Sequence, residues 1–261
     1  REKIAGDYPY LNKNTDRVVV TAGSQEALYL ALLAIVDEGD EVLLPNPGFV
    51  AYPTIVRMAG GTPAYYQLAA ANDFAFNADS FRDALTPRTK VVVCISPSNP
   101  TGQMLSNADL AAIAGALRDH GAWLISDEIY RELYYGDRPE SASSLYERTI
   151  VISGLSKSMS MTGWRLGWIT GDEAVIKAAL VLHGYVTTCA STISQKAGLA
   201  AWTDEAAEAR SGFRKIFAER RQHLLELIDK ELNLRAVVPQ GAFYTMLDVT
   251  MCGTSMQVAE A

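Results

Sequence analysis

The sequence is poor in the residues that bind transition metals and form disulfide frameworks. It has three cysteines and three histidines in 261 residues, and Cys94, Cys189 and Cys252 are widely spaced, with no C-x-x-C pair. Transition-metal sites and disulfide-stapled secreted domains both need clusters of such residues. We therefore expect no metal site, reduced cysteines and a cytoplasmic location.

The sequence also lacks an excess of positive charge and a long apolar run. Lys and Arg number 23 against 30 Asp and Glu, a net charge of −7, whereas nucleic-acid binding needs clustered cations. The longest apolar run, residues 28–36, is flanked by charge and is far shorter than the roughly 20 residues of a membrane helix. No charged-then-apolar leader opens the sequence, so we expect no secretion signal. We therefore expect neither a nucleic-acid partner nor a membrane partner.

Short β-rich runs alternate with stretches of helical spacing along most of the chain. This alternation predicts an α/β fold with a mostly parallel sheet flanked by helices. The predicted strands cover residues 17–21, 41–45, 62–68, 90–96, 122–127, 149–153 and 166–170, and the clearest helices cover 25–36, 107–119 and 205–231. The continuous apolar run at 90–96 is typical of a strand that is buried on both faces.

The character of the sequence changes after about residue 204. Residues 205–231 form one long, charged, amphipathic stretch, and residues 236–249 are predicted to form strands around a turn at Gly241. We therefore predict a large domain over 1–204, followed over 205–261 by a connecting helix and part of a smaller C-terminal domain.

Polar groups follow four of the predicted strands, at the edge of the sheet where open α/β proteins bind ligands. They are the Gly23-Ser24-Gln25 turn, the turn of residues 98–102 with Asn99, the pair Asp127 and Tyr130, and the pair Ser156 and Lys157. We expect these groups to face one crevice.

Each of these groups also has a plain structural interpretation. Ser24 could be an ordinary helix cap, residues 98–102 a simple turn, Asp127 a surface cap, and Lys157 and Arg165 surface ions. The chemical interpretation is more specific. A helix start attracts phosphate, a buried carboxylate requires a cation, a desolvated lysine is a nucleophile, and the arginine fork fits phosphate.

The stretch from Ser153 to Gly167, SGLSKSMSMTGWRLG, carries the most information in the sequence. It resembles the pyridoxal-5′-phosphate (PLP) attachment segment of the class I/II aminotransferases, which have fold type I and are aspartate aminotransferase-like. Residues 98–102 (SNPTG) resemble the NPTG turn of that family, and residues 127–130 (DEIY) resemble its D-E-x-Y element. Gly23-Ser24-Gln25 falls at the position of its phosphate turn, so four matches occur in the family's order.

The resemblance implies a seven-stranded sheet, PLP as cofactor and a role for each matching residue. Lys157 would hold PLP as a Schiff base and then act as general base, Asp127 would pair with the ring nitrogen, and Tyr130 and Asn99 would bind the ring oxygen. Phe49 would stack on the ring, although core packing is its plain alternative. The implied phosphate ligands are Ser24, Gln25, Ser156 and Arg165, with Gly23 allowing close approach. Gly154 stands where some members have a phosphate-binding serine.

The resemblance further implies an aminotransferase that moves an amino group between an α-amino acid and a 2-oxo acid, as a homodimer. Two alternatives stay open. One is a sister fold-type-I enzyme, such as a C–S lyase, a decarboxylase or an aminocyclopropane-carboxylate synthase. The other is a PLP-binding regulatory domain.

Some parts of the family's site are expected to lie outside this sequence. These are the N-terminal arm, the tyrosine that a partner subunit contributes, and the arginine that binds the substrate's α-carboxylate. Arg131 and Arg235 match no family motif for that arginine.

Overall fold

The structure, a computed structural model, describes residues 1–260, and within that part seven strands form one sheet. The strands are β1 (Val18–Thr21), β2 (Glu41–Asn46), β3 (Thr62–Gln67), β4 (Thr89–Ile95), β5 (Trp123–Asp127), β6 (Thr149–Gly154) and β7 (Gly167–Thr170). Every strand lies within one residue of its predicted bounds at each end.

The strand order across the sheet is β1-β7-β6-β5-β4-β2-β3. β2 pairs in parallel with β3 and β4, and the pairs β4–β5 and β5–β6 are also parallel. Only β7, among the described strands, runs antiparallel to its neighbours β1 and β6. The predicted α/β fold with a mostly parallel seven-stranded sheet is confirmed.

Helices flank the sheet on both faces. They are α1 (Glu2–Asp7), α2 (Ser24–Ile35), α3 (Tyr52–Met58), α4 (Ala78–Asp83), α5 (Asn107–His120), α6 (Glu173–Val186), α7 (Thr192–Gly198), α8 (Asp204–Leu227) and α9 (Ser255–Glu260). A π-helical turn, Ile228–Leu232, follows α8 directly. None of the helices within residues 1–260 is long and apolar enough to cross a bilayer.

The sheet is buried on both faces, as the inner strand β4 shows. Val91 and Val93 of β4 point into a core cluster with α2, α3 and α6, whereas Val92 and Cys94 point into a second cluster with α5. Side chains alternate across a strand, so an unbroken apolar run is what such a strand needs. Polar groups are therefore confined to the strand ends.

The C-terminal segment differs from its prediction. Residues 236–249 form no strand, only isolated bridges that pair Ala236 with Leu247 and Tyr134 with Gly241. Pro239 has no N–H to donate, and the next two N–H groups, of Gln240 and Gly241, both bond to the carbonyl of Gly102. The segment therefore wraps over the turn after β4 instead of forming a ladder. The division of the chain at residue 204 stays a prediction.

Two strand ends and one helix start meet at glycines that have no room for a side chain. Gly154 of β6 pairs with Gly167 of β7. A Cβ added at Gly167 would lie 2.5 Å from the Ser24 nitrogen and 2.6 Å from the Gly23 carbonyl carbon. This close approach holds the β6–β7 region against the first residues of α2.

We expect Gly167→Ala to lower the free energy of unfolding by about 2–3 kcal/mol, because a methyl group there collides with backbone rather than with a movable side chain. Urea denaturation followed by circular dichroism measures this change. The matched control is Gly115→Ala within α5, where a Cβ would meet nothing within 4 Å, and we expect it to be neutral or stabilising by up to about 1 kcal/mol. Equal effects of the two substitutions would contradict the packing argument.

Candidate active site

One cavity of about 190 Å³ opens at the carboxyl ends of the central strands. Nine of the ten residues predicted to bind a cofactor line it: Ser24, Gln25, Phe49, Asn99, Asp127, Tyr130, Ser156, Lys157 and Arg165. The tenth, Gly23, lies directly behind the guanidinium group of Arg165, and a Cβ at Gly23 would be 2.5 Å from Nη2 of that arginine. The structure therefore brings all ten residues together. Leu28, Ile95, Ile129, Thr162 and Tyr244 complete the lining.

One end of the cavity is suited to an anion. The helix α2 begins at Ser24, and Gly23 at its N-cap position has φ +91°. The N-cap residue is Gly23, which has no side chain to cap the helix, and Ser24 is the first helical residue, so the interpretation of Ser24 as an ordinary N-cap is wrong. The free N–H groups and the helix dipole favour negative charge here. The guanidinium of Arg165 lies over the same turn and donates to the Thr162 carbonyl at 3.0 Å.

The Asp127 carboxyl group lines the same cavity and is almost fully buried, with 6% of the residue exposed. It accepts hydrogen bonds from the Tyr52 hydroxyl at 2.9 Å and from the Ile129 N–H at 3.2 Å. Burial raises the pKa of Asp127 to about 6, and these two hydrogen bonds only partly oppose that effect. Because an ionised carboxylate is costly there, the position favours a cationic ligand group. Asp127 is therefore not a surface residue that caps a helix, which was its plain structural interpretation.

Tyr130 is held by a second tyrosine that the sequence pattern did not indicate. Its hydroxyl lies 2.6 Å from the hydroxyl of Tyr244, which the C-terminal segment carries over the turn at Gly102. Burial raises the pKa of Tyr130, and the hydrogen bond with Tyr244 raises it further. A hydrogen bond with the Asn99 side chain lowers the pKa of Tyr130 and partly offsets these effects. Tyr130 therefore remains a neutral hydroxyl that can donate a hydrogen bond into the cavity.

The Lys157 amine lines the same cavity as the anion-binding turn and the Asp127 carboxyl group. Its Nζ is 5.7 Å from the ring centres of both Tyr130 and Phe243, and the residue is partly buried. The neighbouring Ser156 is buried, and its carbonyl accepts a hydrogen bond from the Thr162 hydroxyl at 3.0 Å. The segment that carries Lys157 is thus fixed by backbone contacts, and its amine is directed by aromatic faces.

Four other positions can now be assigned. Gly154 has no space for a serine, since a Cβ there would lie 2.8 Å from the Leu166 carbonyl oxygen. Arg131 lies 3.6 Å from the buried Glu128, and Arg235 pairs with Asp73 at 2.6 Å. Neither arginine lines the cavity. Phe49 lines the cavity and also packs edge-on against Tyr52. Its position is therefore compatible both with stacking on a ring and with core packing.

The cavity thus offers an anion-binding turn, a buried carboxyl group and a primary amine in one enclosed space. A ligand that carries a phosphate at one end and a protonatable ring nitrogen at the other matches both charged groups. Its carbonyl could react with the amine, since lysines form Schiff bases with carbonyl compounds. Side chains that matched the family pattern supply all three features.

Comparison with known proteins agrees with this chemistry. The family model described as aminotransferase class I and II matches residues 2–261. The aspartate aminotransferase of Geobacillus stearothermophilus is 38% identical over 232 residues, which are 87% of this chain and 59% of that protein. The aspartate/prephenate aminotransferase of Thermus thermophilus is 38% identical over 245 residues, 92% of this chain and 63% of that protein.

Solved structures are similar as well. The aspartate aminotransferase from Thermus thermophilus with maleate has a TM-score of 0.89 at 37% identity, covering 94% of this chain and 65% of that chain. The aromatic aminotransferase from Pyrococcus horikoshii has a TM-score of 0.90 at 34% identity, covering 94% and 67%. This chain spans about three fifths of the length of the curated relatives that it matches.

The buried carboxyl group predicts a pH-dependent stability in the absence of any ligand. Because the pKa of Asp127 is about 6 in the folded protein against 3.8 as its ordinary value, the folded state binds more protons between these pH values. Stability therefore falls as the pH rises from about 4 to 6. We expect Asp127→Asn, which cannot ionise, to be more stable than the unchanged protein above pH 6, by up to about 3 kcal/mol. Below about pH 4 the difference should vanish.

Urea unfolding of the ligand-free protein and the variant, at a series of pH values, measures this difference. The control is Asp137→Asn, a carboxylate in an exposed loop, for which we expect less than about 0.5 kcal/mol at any pH. A destabilised Asp127→Asn variant at pH 7.5, or a difference that does not change with pH, would contradict the assignment.

Proposed function

This chain belongs to the class I and II aminotransferase family, and on that premise we propose that it moves an amino group between an α-amino acid and a 2-oxo acid. The observation that carries the proposal is the single cavity in which Lys157, Asp127 and Arg165 meet. The relatives that are named as aspartate aminotransferases support an amino acid as the substrate class.

Enzymes of this family use PLP, and the charged groups of the cavity fit it. The Asp127 carboxyl group is buried with only a hydroxyl and one N–H as donors, so it can accept a cationic ring nitrogen. The start of α2 and the Arg165 guanidinium can hold a phosphate, with Ser24, Gln25 and Ser156 as further donors. Gly23 fits because any side chain there would displace Arg165. When bound, PLP reacts with amines and withdraws electrons from the substrate's Cα.

The side chains of this chain supply the remaining chemistry. With PLP bound, the Lys157 amine would hold the cofactor through its carbonyl carbon, with loss of water. Once freed, the amine would take the proton from the substrate's Cα and return a proton as the product forms. The Asp127 carboxylate would hold the proton on the ring nitrogen. Tyr130 and Asn99 would both donate a hydrogen bond to the ring oxygen, and Phe49, which lines the cavity, would stack on the ring.

Substrate recognition requires an additional cation. Arg165 is the only arginine of the described chain that lines the cavity, and we assign it to the phosphate. We therefore propose that a group beyond this sequence binds the substrate's α-carboxylate.

The proposed activity predicts a lysine-dependent transamination. Mixing the PLP-loaded protein with an α-amino acid and 2-oxoglutarate should yield glutamate and the matching 2-oxo acid. Lys157→Ala should slow this reaction by at least about a thousandfold, because the nucleophile and the general base are lost together. Product analysis by chromatography measures both acids. The control is Lys215→Ala on α8, which removes an exposed lysine outside the cavity lining.

The products also discriminate between family activities. Pyruvate and ammonia without consumption of 2-oxoglutarate would indicate a lyase and contradict the aminotransferase proposal. Full activity of Lys157→Ala would contradict the assigned role of that lysine.

We propose further that the protein acts as a homodimer through an apolar surface beside Arg165, here called the α6–α7 face. It consists of Trp164, Val181, Tyr185, Val186 and Ile193, which are between 45% and 91% exposed. Large exposed apolar patches are typical of protein–protein interaction sites. Ser194 of α7 donates to the Trp164 carbonyl at 2.7 Å, which holds Trp164 against α7. The cytoplasmic location stays a prediction.

We expect the unchanged protein to sediment as a dimer and Tyr185→Glu to sediment as a monomer at the same concentration. Tyr185 is 91% exposed, so its replacement removes no packing within the protomer and introduces a charge only into the interface. Leu232→Glu, at a 56% exposed position after α8, should remain dimeric. A monomeric unchanged protein would overturn the dimer proposal.

A further inference from the structure

A buried carboxylate lies directly beneath the phosphate-binding turn and belongs to none of the groups assigned above. It is Glu26, in the first turn of α2, whose side chain is only 8% exposed. Its Oε2 accepts the backbone N–H of Ala22 at 2.5 Å. Ala22 is the residue before Gly23, so this bond ties the first turn of α2 back to the chain just before it. The N–H groups of Ser24 and Gln25 lie between the two bonded residues.

The other oxygen of Glu26 is held from a different element. Its Oε1 lies 2.9 Å from Nδ1 of His183 and 2.5 Å from the hydroxyl of Thr187, both at the C-terminal end of α6. A carboxylate cannot donate, so Nδ1 of His183 carries the proton in this contact. His183 is itself 4% exposed. Three donors from two elements therefore fix one carboxylate, and such charge-assisted bonds are stronger than neutral ones.

Electrostatics alone does not account for a carboxylate at this place. A negative side chain in the first turn of a helix uses the same dipole field that would bind a phosphate, and it repels a second anion. A carboxylate here therefore disfavours phosphate binding unless it also fixes the shape of the turn. The bond from the Ala22 N–H to Glu26 does so, because it restrains the backbone immediately before Gly23.

We propose that Glu26, held by His183 and Thr187, is a positioning residue that fixes the turn of residues 22–24 in the shape that binds the cofactor phosphate. The proposal rests on the proposed function, since it assumes that PLP occupies the cavity. On this proposal the length of the Glu26 side chain matters more for phosphate binding than its negative charge does. Shortening the side chain should therefore be more harmful than neutralising it.

The test compares PLP with pyridoxal, which lacks the phosphate, as ligands of the full protein after removal of cofactor. Their dissociation constants are measured by fluorescence titration for the unchanged protein, Glu26→Asp and Glu26→Gln. Asp keeps the charge but is one methylene too short to reach Ala22 while bonded to His183. Gln keeps the reach, and its amide can donate to the other tautomer of His183.

We expect Glu26→Asp to reduce the preference for PLP over pyridoxal about tenfold, the scale of one charge-assisted hydrogen bond at a buried site. Pyridoxal should bind with unchanged affinity, which also shows that the variant is folded. Glu26→Gln should keep the preference within about threefold. The control is Glu173→Asp, which changes a first-turn glutamate of α6 that is exposed and pairs with Lys177.

Three results would overturn the proposal. They are an unchanged preference in Glu26→Asp, an equal loss of PLP and pyridoxal affinity, and a larger loss in Glu26→Gln than in Glu26→Asp. If the unchanged protein binds neither ligand, the proposed function itself fails. Binding of PLP by the unchanged protein with any of the three results above leaves the proposed function intact and rejects only the role of Glu26.

Discussion

The close contact between β7 and the start of α2 is the constraint on which the site depends. At Gly167 the backbone of the sheet approaches Gly23 and Ser24 so closely that a single methyl group would separate them. Through this contact the segment that carries Lys157 and Arg165 lies against a helix N-terminus. Without it, the phosphate turn and the lysine would belong to two separate parts of the sheet edge. The paired Gly154 has the same function on the neighbouring strand, where a serine would not fit.

The charges of the cavity suit a ligand that carries both an anionic and a cationic group. Asp127 is buried with its pKa raised to about 6, while Arg165 and the helix dipole of α2 provide positive potential in the same cavity. Burial of the Asp127 carboxylate is costly by itself, and a molecule with a phosphate and a cationic ring offsets that cost while it binds to Arg165. Functional sites commonly lower the stability of the free protein in this way, because the groups that bind the ligand are unfavourable without it. The buried network of Glu26 and His183 fits the same account, because it restrains a turn that would otherwise be free to relax.

The sequence predicted the sheet and the cavity well because both are encoded locally. Each strand is a short apolar run, and each site residue lies within four residues of a strand end, Arg165 just before β7 and the others at or after a strand. The contacts that the sequence did not reveal are long-range. Tyr244 meets Tyr130 across 114 residues of chain, and His183 meets Glu26 across 157. No periodicity marks such pairs. The predicted strand around Gly241 was wrong for a related reason, since its N–H groups bond to a distant turn at Gly102.

Whether Lys157 bonds to the cofactor can be measured by reductive trapping. The protein is incubated with PLP, reduced with borohydride, digested and mapped by mass spectrometry. We expect one pyridoxyl-phosphate group per chain, on the peptide that contains Lys157, and none on that peptide when the reduction is omitted. A modification distributed over exposed lysines, or concentrated on any lysine other than Lys157, would contradict it.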